Sequence, residues 1–310
     1  MSWIWLAVGG QFLNAVVAVL DKYIVSDDSA IPKPFVYAFY SCLLAGVWLA
    51  IFVLSFIPIF AATGLPRLSL VEIPSLQVVA MAFLAAYTFF LALVSMFDAL
   101  KHDTPSNVMP VVGSVAAIAS LGLNYLFLDA VLSDNFVIGI ILLAIGTFLV
   151  SQASFSRSLI FITVHSGLFF ALHLVTMKGL FEMTTFDNGF FWSRVALVLF
   201  ALSLLLVPVY WKKIRKGTEH TTKRSVVIIL MTKFLAGVAA FLLLTATDMG
   251  DVSVVQALDG LKFVFILFIS YLVTLWMPQL NTERSVRPRD VIRKILYVSI
   301  IVIGFSILFV

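Results

Sequence analysis

Apolar residues run along this chain in long stretches separated by short polar breaks. Ten stretches are long enough to cross a bilayer: 3–25, 35–58, 76–99, 105–129, 136–154, 158–181, 189–211, 226–247, 252–276 and 293–310. A helix rises about 1.5 Å per residue, so about 20 apolar residues span a hydrocarbon core about 30 Å thick. The breaks have local causes. Ser26-Asp27-Asp28 and Pro32-Lys33-Pro34 end the first stretch, and Gly64, Pro66 and Arg67 end the second. Lys101 to Pro105 separate the third from the fourth. The longest polar break runs from Trp211 to Arg224, and the next from Pro278 to Asp290. Very short loops, as between stretches 4 and 5 or 8 and 9, force antiparallel neighbours and predict one compact bundle.

Composition agrees with this pattern. Of 310 residues, 62% are hydrophobic and 12% charged, and the mean hydropathy is +1.11. Soluble domains carry about 25% charged residues, so this much apolar surface calls for the lipid bilayer as a partner. The net charge of +4 is concentrated in two short loops and does not point to nucleic acid. The single Cys42 excludes an internal disulfide. The start, Met1-Ser2-Trp3, has no basic n-region, so the first stretch reads as a retained helix.

The chain also repeats itself. Ala15, Val19 and Lys22 recur with the same spacing as Ala171, Val175 and Lys178. Ala99, Ser106 and Gly113 recur as Ala246, Ser253 and Gly260. Ala144-Ile145-Gly146 matches Val302-Ile303-Gly304. The matches fall in order, five stretches apart. Five is odd, so the second unit enters the membrane from the opposite side. The expected fold is therefore all-α and integral to the membrane, with ten transmembrane helices as two inverted five-helix repeats, 1–154 and 158–310. Inverted repeats are a common plan of secondary transporters, with substrate bound near the midplane between the halves.

Cytoplasmic loops are enriched in Lys and Arg. Lys212, Lys213, Arg215, Lys216, Lys223 and Arg224 fall in loop 7–8, and Arg284, Arg287, Arg289, Arg293 and Lys294 in loop 9–10. Lys33, Lys101 and Arg157 join them on the same face, whereas the opposite loops carry only Arg67. The charges thus place both termini outside the cytoplasm.

The segment Ala99-Leu100-Lys101-His102-Asp103-Thr104-Pro105-Ser106-Asn107-Val108-Met109-Pro110, continuing through Leu128-Asp129 to Gly139 and Gly146, has a distinctive plan. A small residue closes one helix, a tight polar turn follows, and the next helix contains a proline. This resembles the EamA-type module of the drug/metabolite transporter superfamily, and the resemblance covers the chain as two such modules. Trp192-Ser193-Arg194 looks like the family's arginine near the start of the second helix of a module, where the first module has Tyr40-Ser41. The family's Gly-Glu-basic turn between the last two helices is missing; Asp129, and Glu283-Arg284 in a longer loop, stand near its place. The resemblance implies export or exchange of a small metabolite, and a multi-pass protein of a bacterial plasma membrane. It also implies cytoplasmic termini, against the charge count.

An ionisable group inside the membrane costs about 2.5–3.5 kcal/mol on insertion scales, so each one asks for a reason. Asp259 and Lys262 lie three apart in the ninth stretch, on one helix face, where they can pair. Either they bind substrate or a coupled proton, or they fix packing as a neutralised pair. Arg194, Lys178 and Asp248 fall toward the same membrane face. Their positive surplus suggests an anionic or zwitterionic substrate; snorkelling to the interface explains Lys178 and Arg194 equally well. Asp21 and Lys22, with Asp98 and Lys101, form a counterpart set toward the other face, as two alternating gates or as helix-end charges. Lys233 is undecided. Asn14, Gln11, Asn124 and Gln256 can bond substrate or a neighbouring helix. His165 and His173 can relay protons or simply pack. Pro110 frees a backbone carbonyl within its helix.

The chain has no Gly-x4-Gly-Lys-Ser/Thr loop, His-Glu-x2-His pair, Cys/His zinc set or Gly-x-Ser-x-Gly elbow. No catalytic set, metal or cofactor is expected. The leading expectation is a secondary transporter of a small polar metabolite, amino-acid-like or anionic, working by alternating access, not an enzyme. Stretches 1, 3, 4, 6, 8 and 9 would line its site. Proton coupling and a homodimer are open. The alternative is a membrane-embedded enzyme or transporter acting on a lipid precursor.

Overall fold

A computed structural model describes residues 2–57, 65–128, 134–151 and 157–276, with isolated helical positions at 300, 303, 304 and 307. Every regular element among the described residues is helical. Helix α1 runs Ser2–Ser26. The second stretch is divided into α2, Pro34–Leu44, a 3-10 segment, Ala45–Leu49, and α3, Ala50–Leu54. Next come α4, Leu76–His102, α5, Pro105–Phe127, and α6, Asp134–Ser151. The second half contributes α7, Arg157–Met183, α8, Phe186–Leu205, α9, Pro208–Thr218, and α10, Lys223–Met249. It continues with α11, Val252–Ala257, and α12, Asp259–Trp276.

Seven of the described helical runs are long and apolar enough to cross a membrane. The chain is a multi-pass helical membrane protein. The expected tenth stretch, 293–310, lies outside the described residues apart from the four isolated positions. The same holds for loop 278–290 and for Asp129.

The helix starts follow from short-range chemistry. Proline stands at the first turn of α2, α5 and α9, where its missing N–H leaves no bond unmade. The side chains of Ser75, Thr185, Thr222 and Asp251 accept from the first free N–H groups of α4, α8, α10 and α11.

Two further expected stretches are divided. The stretch 189–211 ends early, because α8 stops at Leu205 and Pro208 starts a separate helix. Part of the longest polar break, Trp211 to Arg224, is therefore helical. The ninth stretch is interrupted at Leu258, between α11 and α12.

The two largest helix–helix contacts are α4 with α7 and α1 with α10. Helix α7 also packs on α5, and α1 on α12. Smaller contacts join α1 to α4 and α7 to α10. Helix α5 meets α11 and α12, and α2 meets α8, across the centre. Large aromatics fill the interior, including Tyr37, Phe52, Phe97 and Phe190. Trp5, Tyr125, Phe161 and Phe234 project outward, as suits a lipid-facing surface.

Among the described residues, loop 7–8 meets the first and third loops at one end. Lys101 Nζ donates to Pro32 O at 2.7 Å, the Thr222 amide donates to Ser29 O at 3.0 Å, and Lys213 Nζ lies 4.4 Å from the centre of the Phe35 ring. The part of the common face formed by loop 7–8 and the residues near Lys33 and Lys101 is therefore assembled in space, and loop 9–10 lies outside the described residues.

Candidate functional site

A cavity of ≈ 200 Å³ opens where the helices of the two halves meet. Its walls come from α1, α2 and the 3-10 segment, α4, α5, α7, α8, α10, α11 and α12. All six stretches expected to line a central site contribute to it. Stretches 2 and 7 contribute as well, through Ser41 and Trp48 and through Arg194 and Leu197. Most of the lining is apolar, with Phe89, Phe97, Met109 and Phe170 among it. A few polar groups interrupt that lining, which is the usual composition of a small-molecule site.

Asp259, Lys262, Arg194, Asp21, Asn14 and Gln256 all line the cavity. Lys22 and Lys178 do not. Lys22 Nζ donates to Leu100 O at 2.7 Å and Lys101 O at 3.4 Å, at the C-terminal end of α4. Lys178 Nζ donates to Asp248 O at 2.8 Å, at the C-terminal end of α10. A cation is favourable there, because the last carbonyls of a helix lack intrahelical donors. Asn124 is also outside the cavity: its amide donates to Asp251 Oδ2 at 2.7 Å, steadying the cap of α11. Asp98 pairs locally with His102 on α4.

Two ion pairs stand on the cavity wall. Asp259 and Lys262 approach to 2.7 Å along α12, the pairing their spacing predicts. The Asp259 carboxylate lies against the backbone of Gly113 on α5, where even a methyl group would collide with it. The second pair was not legible, because its members are far apart in sequence. Lys233 Nζ on α10 reaches Asp21 Oδ1 on α1 at 3.0 Å. The Tyr37 hydroxyl donates to the same carboxylate oxygen, and the Lys233 ammonium lies 4.0 Å from the centre of the Tyr37 ring. Placed by position along their helices, the Asp21 pair lies toward the basic loops and the Asp259 pair toward the other face.

Arg194 is different. It is 5% exposed, and its Nε has no hydrogen-bond partner among the described residues. No carboxylate among those residues is within ion-pair distance of it; its guanidinium rests 4.9 Å from the centre of the Phe190 ring. Gln11 Oε1 is a second buried polar atom on this wall without a partner among the described residues. His173 lines the cavity too and donates from Nδ1 to Ala85 O at 2.9 Å, which leaves Nε2 as its acceptor. His165 bonds Ser95 at 2.8 Å, away from the lining. Trp48 completes one side, its indole lodged against Gly237 on α10, where a Cβ would overlap it.

No protein-family model matches the chain. No curated protein matches it either. Among solved structures 28 chains match. One of them, a crystal structure, superposes with a TM-score of 0.64 at 16% identity, over 99% of this chain and 96% of its own. At that identity the likeness establishes a shared fold and nothing about substrate.

Proposed function

We propose that this chain is a secondary transporter that carries a small polar metabolite by alternating access, with the central cavity as its substrate site. Export or exchange is the favoured mode, and the architecture is of the EamA type. The observation that carries this reading is the cavity itself. It sits between the two halves, is mainly apolar, and holds ionisable groups that would be costly in lipid without a task. A volume of ≈ 200 Å³ suits a compact solute better than a lipid precursor.

Two further observations support the inverted repeat, 1–154 with 158–310. Exchanging α1 with α7, α2–α3 with α8, α4 with α10, and α5 with α11–α12 maps the main contacts of α1 onto those of α7. The α1–α10 contact becomes α7–α4, and α1–α12 becomes α7–α5. The matched lysines behave alike as well: Lys22 caps the carbonyl end of α4, and Lys178 that of its counterpart α10. Ala15, Ala171, Ala99 and Ala246 are all fully buried.

Transport is tested with the purified chain in sealed liposomes preloaded with pooled small metabolites. Uptake of a labelled solute should saturate and should be accelerated by the same solute on the far side. Asp259→Asn should reduce that uptake at least about tenfold while the protein still inserts and elutes normally. Uptake no faster than through protein-free liposomes, across amino acids, organic acids and nucleosides, would refute the reading.

A further inference from the structure

Among the described residues, the charges on the cavity wall do not balance. Asp21 is matched by Lys233 and Asp259 by Lys262, each at bonding distance. Arg194 remains, buried, with an unpartnered Nε and only a ring beneath it. An arginine guanidinium stays protonated under ordinary conditions and offers a planar fork of donors. A buried charge without a counter-charge is strongly unfavourable, and an occupant bearing the opposite charge removes that penalty. The cavity lining as a whole is mainly aromatic and aliphatic, with Phe89, Phe170 and Leu197 among it.

Resting on the transporter reading, we propose that the cavity takes a compact organic monoanion with an apolar body, its carboxylate held by Arg194. The charge of the occupant follows from the one unmatched cation among the described residues. An anion of charge −1 leaves the loaded cavity neutral. A cation would add to the surplus, and a zwitterion would leave it unchanged and bring a second charge to be buried. The shape follows from the volume. A dry cavity of about 150 Å³ accommodates benzene, so ≈ 200 Å³ accommodates one ring or a short branched chain with a carboxylate. Arg194 is a binding residue in this account, and fork geometry matters as well as charge, because carboxylates are gripped through two parallel N–H bonds.

Benzoate, its neutral isostere benzamide, and the benzylammonium cation are suitable probes, titrated calorimetrically into the full-length protein in detergent. Wild type should bind benzoate at least about tenfold more tightly than either other probe. Arg194→Gln should abolish that preference and leave benzamide binding nearly unchanged, and Arg194→Lys should keep part of it. The wild-type comparison holds even if a variant fails to fold. Equal or tighter binding of benzamide or benzylammonium, no benzoate binding at all, or an unaltered benzoate affinity in Arg194→Gln would each overturn the proposal. Solute flux without benzoate binding or competition would sink the monoanion assignment and leave transport standing. Benzoate binding that depends on Arg194, in a chain that moves nothing, would do the reverse.

Discussion

Single residues set the tolerances of the cavity. The Asp259 carboxylate fits only because residue 113 has no side chain, whereas Gly122, on the same helix α5, has open space around it. Gly113→Ala should displace the carboxylate, break its 2.7 Å contact with Lys262 and reduce solute flux at least about tenfold. Overpacking of this kind costs about 1–3 kcal/mol. Gly122→Ala should leave flux intact and raise stability by up to about 1 kcal/mol, since glycine weakens a helix interior. Thermal unfolding and flux measured side by side check both, and equal behaviour of the two variants would remove the steric argument. At this scale the sequence was informative wherever partners are close in the chain. The pairing of Asp259 with Lys262 follows from a spacing of three. Lys233 could not be assigned, because its partner Asp21 is brought to it by tertiary packing alone. Trp48 carries no chemical signature in the sequence; only the slot at Gly237 places it on the cavity wall.

At the scale of elements, the contact between α1 and α10 is the most instructive. It is one of the two largest in the bundle, and it carries the Asp21–Lys233 pair with Tyr37. Removing one member of a buried pair leaves the other uncompensated, at a cost of about 3–5 kcal/mol, whereas removing both is often nearly neutral. Asp21→Asn and Lys233→Met should each lower the unfolding temperature, and the double variant should recover most of the loss. Strictly additive losses would show that the two side chains do not act on each other. The helices themselves were largely legible from apolar runs, proline at first turns and capping side chains. Helix α9 was not. It is rich in Lys and Arg, and among its side chains only Ile214 is buried, so it reads as a loop. The division at Leu258 was equally silent, because the residues around it remain apolar on both sides.

At the scale of the molecule, the proposed exchange of halves gives the contacts of α1 with α10 and α12 counterparts in those of α7 with α4 and α5. The Asp21–Lys233 pair lies on one side of the cavity and the Asp259–Lys262 pair on the other. Under the proposed transporter reading, such a bundle would open toward each face in turn. That is the substance of alternating access. The repeated spacings of small residues and lysines are what suggest this plan in the chain. Which residues would face a common cavity depended on how the helices rotate against one another, and short spacing patterns do not record that.

The most direct test of the account is whether one position on the cavity wall can be reached from both sides of the membrane. Ala240→Cys places a thiol on the α10 wall, and Cys42, which is fully buried, can be replaced by Ala to leave it alone. Sealed right-side-out and inside-out vesicles would be treated with a small membrane-impermeant thiol reagent. The account predicts labelling from both faces; labelling from one face only, or from neither, would contradict it.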